Sequence, residues 1–170
     1  NSDGTALEYV KQFGARTSPL PQAGFIKGID GRLYATFKAG GTGNVGSVVR
    51  MEADGTNLTY IHHLRDADGE NPAGNLMQAT DGYLYGTTQS GGAMDGGTIF
   101  RIKPDGTEFT VIYNFSALSG RTPRGGVMQA TNCRLYGITP VGGFYGSGTI
   151  FSVNTDGSGY AILFHLNDQA

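Results

Sequence analysis

His62 and His63 stand side by side in "TYIHHL", and His165 falls at the same phase of an internal repeat as His63. On a strand, adjacent residues face opposite ways, so the pair cannot close on one ion. Equivalent positions in different repeats do not converge either, and the three histidines read as structural or solvent-facing. The loop "RDADGENP" (65–72) is a better metal candidate, with Asp66, Asp68, Glu70 and Asn71 around Gly69. Hard oxygen ligands about a glycine turn resemble part of a calcium loop. The EF-hand pattern is incomplete, however, and the equivalent loops "RTSPLP" and "SGRTPR" lack the acids. Ca²⁺ on Asp66, Asp68 and Glu70 is thus the single cofactor expectation, set against a solvated polar turn. Phe144 and Tyr145 in "GGFYGSG" replace the small or polar residues of "GGTGNVG" and "GGAMDGG". Aromatic rings on a glycine-rich loop can stack on a sugar or on a neighbouring subunit, which makes this pair the candidate ligand-binding site.

The remaining reactive residue types point to packing or to chance. Tyr34, Tyr85 and Tyr136 recur with the repeat, as core residues do. Asn57-Leu58-Thr59 and Asn114-Phe115-Ser116 are glycosylation sequons, a triplet that also arises readily at random. The single cysteine, Cys133, excludes an intrachain disulfide framework and a cysteine-rich zinc site. It is placed at a hairpin tip, where an intermolecular disulfide is conceivable. No nucleophile elbow, paired-carboxylate signature or phosphate loop is present, so no catalytic residue is assigned and the balance is against an enzyme.

Composition narrows the partners. Net charge is −2, which supplies no electrostatic footprint for nucleic acid or an anionic membrane. No apolar run approaches the roughly 18 residues of a membrane helix. The chain begins at Asn without a signal peptide, as expected of mature or trimmed residues. Gly makes up 29 of 170 residues and charged residues only 15%, with Val, Ile, Thr, Tyr and Phe crowded between the glycines. That is a composition of turns and short strands.

These residues are held in place by a strict repeat. "LYATFKAGG" (33–41), "LYGTTQSGG" (84–92) and "LYGITPVGG" (135–143) are spaced 51 residues apart. Pro21, Pro72 and Pro123 keep the same step, as does the Asp-Gly-Thr/Ser triplet at 3–5, 54–56, 105–107 and 156–158. Three full repeats (18–68, 69–119 and 120–170) follow a partial one, 1–17, within one continuous domain. Long fixed periods indicate solenoids, propellers or arrays.

Each repeat parses into four strands. In the third these are "GVMQA" (126–130), "RLYGIT" (134–139), "TIFSV" (149–153) and "YAILFHL" (160–166). Asp-Gly turns in "TDGYLY" and "PDGTEF" mark antiparallel hairpins, and the one long link carries the proline. A four-stranded meander with one longer crossover per 40–50 residues is a propeller blade. The fold class is therefore all-β: a propeller-like array of three four-stranded antiparallel blades with one extra outer strand. Positions 48/99/150 (Val, Ile, Ile) and 49/100/151 (Val, Phe, Phe) make the third strand of each blade apolar on both faces, as a sheet sandwiched between neighbours requires.

The succession G-T-(apolar strand), Pro-bearing loop, Q-A-T-D-G-x-L-Y-G-T-T, G-G and G-T-I-F-x-I resembles the GloVer-type tandem repeat of bacterial extracellular proteins. Residues 74–102 fit it best, and "TNCRLYGITP" departs most, with Cys133 in place of the hairpin glycine. The resemblance implies a secreted, propeller-like protein, extracellular or at the cell surface, and brings no catalytic residues with it.

Three blades are fewer than the four to eight of a closed propeller. A blade face spans on the order of 300 Å². Leaving one apolar face in water forfeits roughly 5–8 kcal/mol, comparable with the about 5–15 kcal/mol that holds a domain together. The outer strand also occurs at both ends, as "TALEYVKQF" (5–13) and "SGYAILFHL" (158–166). Either two chains close a six-bladed ring, or chains stack head to tail into a filament, or the sequence is a segment of a longer array; the leading expectation is self-assembly. Leu7, Tyr9, Val10, Phe13, Tyr160, Ile162 and Phe164 are its contact residues. A non-catalytic structural or adhesive module leads, a glycan-binding propeller lectin comes second, and a fragment of a carbohydrate-active enzyme third.

Overall fold

The computed structural model describes residues 20–167, and in them the sequence folds as three antiparallel sheets in series. Blade 1 contains β1 (Ile26–Lys27), β2 (Leu33–Phe37), β3 (Ser47–Met51) and β4 (Thr59–His63) in that order. Blade 2 contains β5 (Glu70–Pro72), β6 (Met77–Gln78), β7 (Leu84–Ser90), β8 (Thr98–Ile102) and β9 (Thr110–Asn114). Blade 3 contains β10 (Met128–Gln129), β11 (Leu135–Thr139), β12 (Thr149–Val153) and β13 (Ala161–His165). Among the described residues the helical content is one 3₁₀ turn, Asp66–Asp68. Blade 2 has five strands because β5 and β6 both pair with β7, as two halves of one broken inner strand.

The inner strand is shorter than the pattern "GVMQA" anticipates. Only Met128 and Gln129 pair with β11. The cause lies between blades. A Cβ on Gly74 would lie 2.0 Å from the Gly126 nitrogen, so the inner segments of blades 2 and 3 touch backbone to backbone. Residues turned to a neighbouring blade cannot also extend their own ladder.

The Asp-Gly hairpins form as expected, with positive φ at Gly31, Gly55, Gly82, Gly106 and Gly157. Cys133 occupies the phase of Gly31 and Gly82 and is forced to φ 63° at an exposed position. A side chain in the left-handed region costs about 1 kcal/mol or more. Cys133→Gly is accordingly expected to raise stability by about 1 kcal/mol, seen as a higher urea midpoint at unchanged slope. A lower midpoint would show that the cysteine makes a compensating contact.

Successive blades pack face to face. Tyr34 and Val48 of blade 1 meet Leu76, Leu84, Phe100 and Ile102 of blade 2. Tyr85, Ile99 and Phe115 of blade 2 meet Val127, Leu135, Phe151 and Val153 of blade 3. The two junctions share the same polar and aromatic contacts at equivalent positions. Thr36 and Thr87 donate to the carbonyls of Gly74 (3.5 Å) and Gly125 (2.8 Å) in the next blade. Arg50 and Arg101 each reach across to a turn carbonyl, of Pro104 and Thr155, at 3.3 Å. The Gln78 and Gln129 side chains accept the backbone N–H groups of Ile29 (2.8 Å) and Thr80 (2.9 Å). On the outer strands His62 stacks on Phe109 at 3.8 Å and Tyr113 on Tyr160 at 3.9 Å, both nearly parallel.

Candidate functional site: the trailing face of blade 3

The face that blades 1 and 2 press against their successors is built from two cross-strand rows. In blade 2 these rows are Thr87–Ile99–Tyr113 and Met77–Tyr85–Arg101. In blade 3 the same rows are Ile138–Ile150–Phe164 and Met128–Tyr136–Ser152. Thr87, Tyr85 and Ile99 are buried by blade 3. Their counterparts have no such cover: Met128 is 61% exposed, Ile138 56% and Phe164 57%. Ile150 and Tyr136 are only half-buried. The side chains at this end are also more apolar than those they replace. Thr gives way to Ile at 138, Arg to Ser at 152, and the aspartates that hold the Tyr34 and Tyr85 hydroxyls (2.8 and 2.6 Å) give way to Asn132. At the buried Tyr34, desolvation and Asp30 push the hydroxyl up to about 12, and at Tyr85 burial and Asp81 act in the same direction.

Beside the inner strands the face opens into a cleft of about 770 Å³, lined by Ile26, Met77, Met128, Tyr136, Ile138 and Ile150 among others. Its lining includes no Asp, Glu, His, Lys or Cys side chain. Arg124 and Asn75 are its polar side chains, and the rest of the lining is suited to burying apolar groups.

The opposite end differs. Ala35, Phe37 and Val49, on the leading face of blade 1, are buried in a cluster with Leu58. On the same face Phe25 (41%) and Tyr60 (39%), which pairs with Val49, stay exposed.

The sequence-predicted residues scatter. Leu7, Tyr9, Val10 and Phe13 lie outside the described residues. Tyr160 and Ile162 face inward: Tyr160 is taken up by its stack on Tyr113, and Ile162 pairs with Phe151. Phe164 alone of the three points outward. Phe144 (79% exposed) and Tyr145 (58% exposed) project from the loop between β11 and β12 and meet edge to face at 5.0 Å. The Phe144 N–H donates to His165 Nδ1 at 3.0 Å. His62 contacts Asp68 at 3.2 Å, and His63 stacks on Tyr60. The three histidines thus serve three separate places.

Around the acidic loop, Asp68 turns back to His62 and accepts the Arg65 N–H. Asp66 and Glu70 line a groove of about 470 Å³ with Asp95 and Asn114. Among the described residues no group of three or more His, Cys, Asp or Glu has the spacing of a metal cage. Desolvation raises the Glu70 carboxyl, and Asp66 and Asp95 raise it further. A carboxyl raised on folding binds its proton more tightly in the native state, so stability falls as pH climbs from the unfolded value through the raised one. Glu70→Gln is expected to flatten that slope and to raise the melting temperature at neutral pH. An unchanged slope would remove Glu70 from the pH dependence.

The architecture and its exposed end define a class: an all-β, propeller-type repeat array whose candidate site is an apolar blade face. The match to known families is specific. Residues 1–170 match the Gloeobacter/Verrucomicrobia repeat model, and the chain belongs to that family. A comparison with curated proteins finds no match. Among solved structures, the chain is similar to a gluconolactonase from Xanthomonas campestris (19% identity, 98% of this chain and 53% of that one, TM-score 0.62). It is also similar to a chain of a nidogen/laminin complex (20% identity, 85% and 47%, TM-score 0.61). A third is a putative TolB from Agrobacterium tumefaciens (16% identity, 88% and 50%, TM-score 0.54). At these identities the likeness is one of fold. The chain spans about half the length of each.

Proposed function

We propose that this chain is a non-catalytic, extracellular structural or adhesive repeat module that associates with copies of itself through the trailing face of blade 3. The observation that carries this reading is the apolar, exposed row on the trailing face of blade 3. Where Thr36 and Thr87 donate across the two internal junctions, blade 3 carries an exposed Ile138, flanked by Ile150 and Phe164 in one apolar row. Sedimentation at micromolar concentration tests the reading: a mass above the 17.9 kDa of one chain is expected, and a single-chain mass at every concentration would refute it.

A second reading is favoured by the exposure of Phe144 and Tyr145, which suits stacking on a sugar ring. If the module binds glycans there, the double Ala variant loses glycan-array binding with its β-sheet spectrum intact. A polysaccharide-degradation assay distinguishes both readings from a carbohydrate-active fragment.

A further inference from the structure

We propose that the loop end of blade 3 binds an acidic polysaccharide, with sugar rings stacked on Phe144 and Tyr145 and anionic groups held by Arg121. The inference rests on the glycan reading of Phe144 and Tyr145 above and names the class of sugar. Two loops build the surface: residues 116–121 lead from blade 2 towards blade 3, and residues 140–148 join β11 to β12. The Gly143 N–H donates to the Ala117 carbonyl at 2.9 Å, and the Arg121 N–H donates to the Val141 carbonyl at 2.8 Å. These bonds hold the loops side by side, and the Phe144 N–H is fixed on His165 Nδ1. Leu118 and Arg121 are exposed next to the aromatic pair. A following blade leaves such a loop tip open. In blade 2, which blade 3 follows, Ala93 and Met94 hold the phase of Phe144 and Tyr145 and are exposed all the same.

Charge selects the ligand. The corresponding groove one repeat earlier is acidic, lined by Asp66, Glu70, Asp95 and Asn114. In the third repeat those positions hold Ala117, Arg121, Gly146 and His165, so three carboxylates are lost and a cation replaces one of them. No acidic residue occurs between Glu108 and Asp156, a local reversal that the net charge of −2 conceals. Among the described residues Arg121 has no ion pair. A guanidinium free of internal partners can grip a carboxylate or sulfate through two parallel N–H bonds. The acidic groove beside it repels the same polymer and confines it to blade 3. A neutral sugar leaves Arg121 unused, and an acidic peptide backbone offers no ring to stack on Phe144 and Tyr145.

Binding to immobilised polymers tests the proposal. Polygalacturonate and dextran sulfate are the acidic probes, with carboxyl-reduced polygalacturonate and dextran as their neutral counterparts. Polyglutamate supplies carboxylates without a sugar ring. At least one acidic polysaccharide is expected to bind about tenfold or more tightly than its neutral counterpart, the worth of a charge-assisted hydrogen bond. Arg121→Gln, at an exposed position, is expected to abolish that preference with the β-sheet spectrum unchanged. The double variant Phe144→Ala, Tyr145→Ala is expected to abolish the binding itself. Equal binding of acidic and neutral polymers that still needs Phe144 and Tyr145 overturns the acidic class and leaves the glycan reading standing. So does a preference that survives Arg121→Gln, while polyglutamate binding as tight as that of the polysaccharide overturns the role of the sugar ring. No binding to any polysaccharide, or binding that survives the double variant, overturns both.

Discussion

Phe115→Ala is expected to lower the free energy of unfolding by about 3–5 kcal/mol, the cost of removing a large aromatic side chain from a closed core. Phe115 is fully buried at the junction of blades 2 and 3 and meets Phe151 and Tyr113 edge to face, each with ring centroids 5.2 Å apart. Little is free to collapse into the space, because both neighbouring rings are themselves fixed in cross-strand rows. The loss amounts to a large share of the about 5–15 kcal/mol of a typical domain. Its distribution is as informative as its size. Repeat arrays are stabilised by each unit and its nearest interfaces, so the damage belongs to the second junction. Amide exchange should accelerate across 128–165 far more than across 26–63. Uniform acceleration would mean that the blades unfold as one unit and that the junction picture is wrong.

Gly97→Ala is expected to cost at least about 3 kcal/mol, through left-handed strain added to a backbone clash. Gly97 has φ 88°, and a Cβ there would lie 2.1 Å from the Thr88 carbonyl oxygen. The obstacle is the facing strand, not a flexible side chain, so it cannot swing aside. Gly46 and Gly148 hold the same phase with φ 129° and 106°. The hairpin joining β7 to β8 should fray or shift, with loss of the buried Thr88–Thr98 hydroxyl contact at 2.9 Å. Thermal unfolding compared with Gly125→Ala, whose Cβ meets nothing within 4 Å, provides the control. Equal melting temperatures for the two variants would contradict the argument.

Much of the fold was legible because it is written locally and three times over. "TIFSV" is β12 residue for residue, and "RLYGIT" loses only its first residue in β11. The burial of Ile99 and Phe100 follows from two apolar residues in succession on a strand between two neighbouring blades. The departures are tertiary in origin. The short inner strand arises where Gly74 and Gly126 bring two blades into backbone contact, and nothing in "GVMQA" itself reports this. Tyr160 carries the outer-strand pattern of an assembly residue, yet the ring that covers it is Tyr113 of its own chain, 47 residues earlier.

The end face was only partly legible. The sequence pattern places Phe164 in an edge strand, whereas its ring lies on the flat of the blade beside Ile150. Setting the repeats in phase holds the missing signal. Thr36, Thr87 and Ile138 form one column, and Arg50, Arg101 and Ser152 another. A column that is polar twice and apolar once gains meaning only when the first two are seen donating across a junction.

Methyl-resolved NMR across a concentration series tests the central claim most directly, because Ile138, Ile150 and Met128 report on the trailing face while Ile99 and Ile102 lie in closed junctions. The first three methyl signals should shift together as concentration rises and the particle mass exceeds that of one chain, with Ile99 and Ile102 unmoved. Signals from the trailing face that stay fixed from micromolar to millimolar, with the mass of one chain throughout, would contradict it.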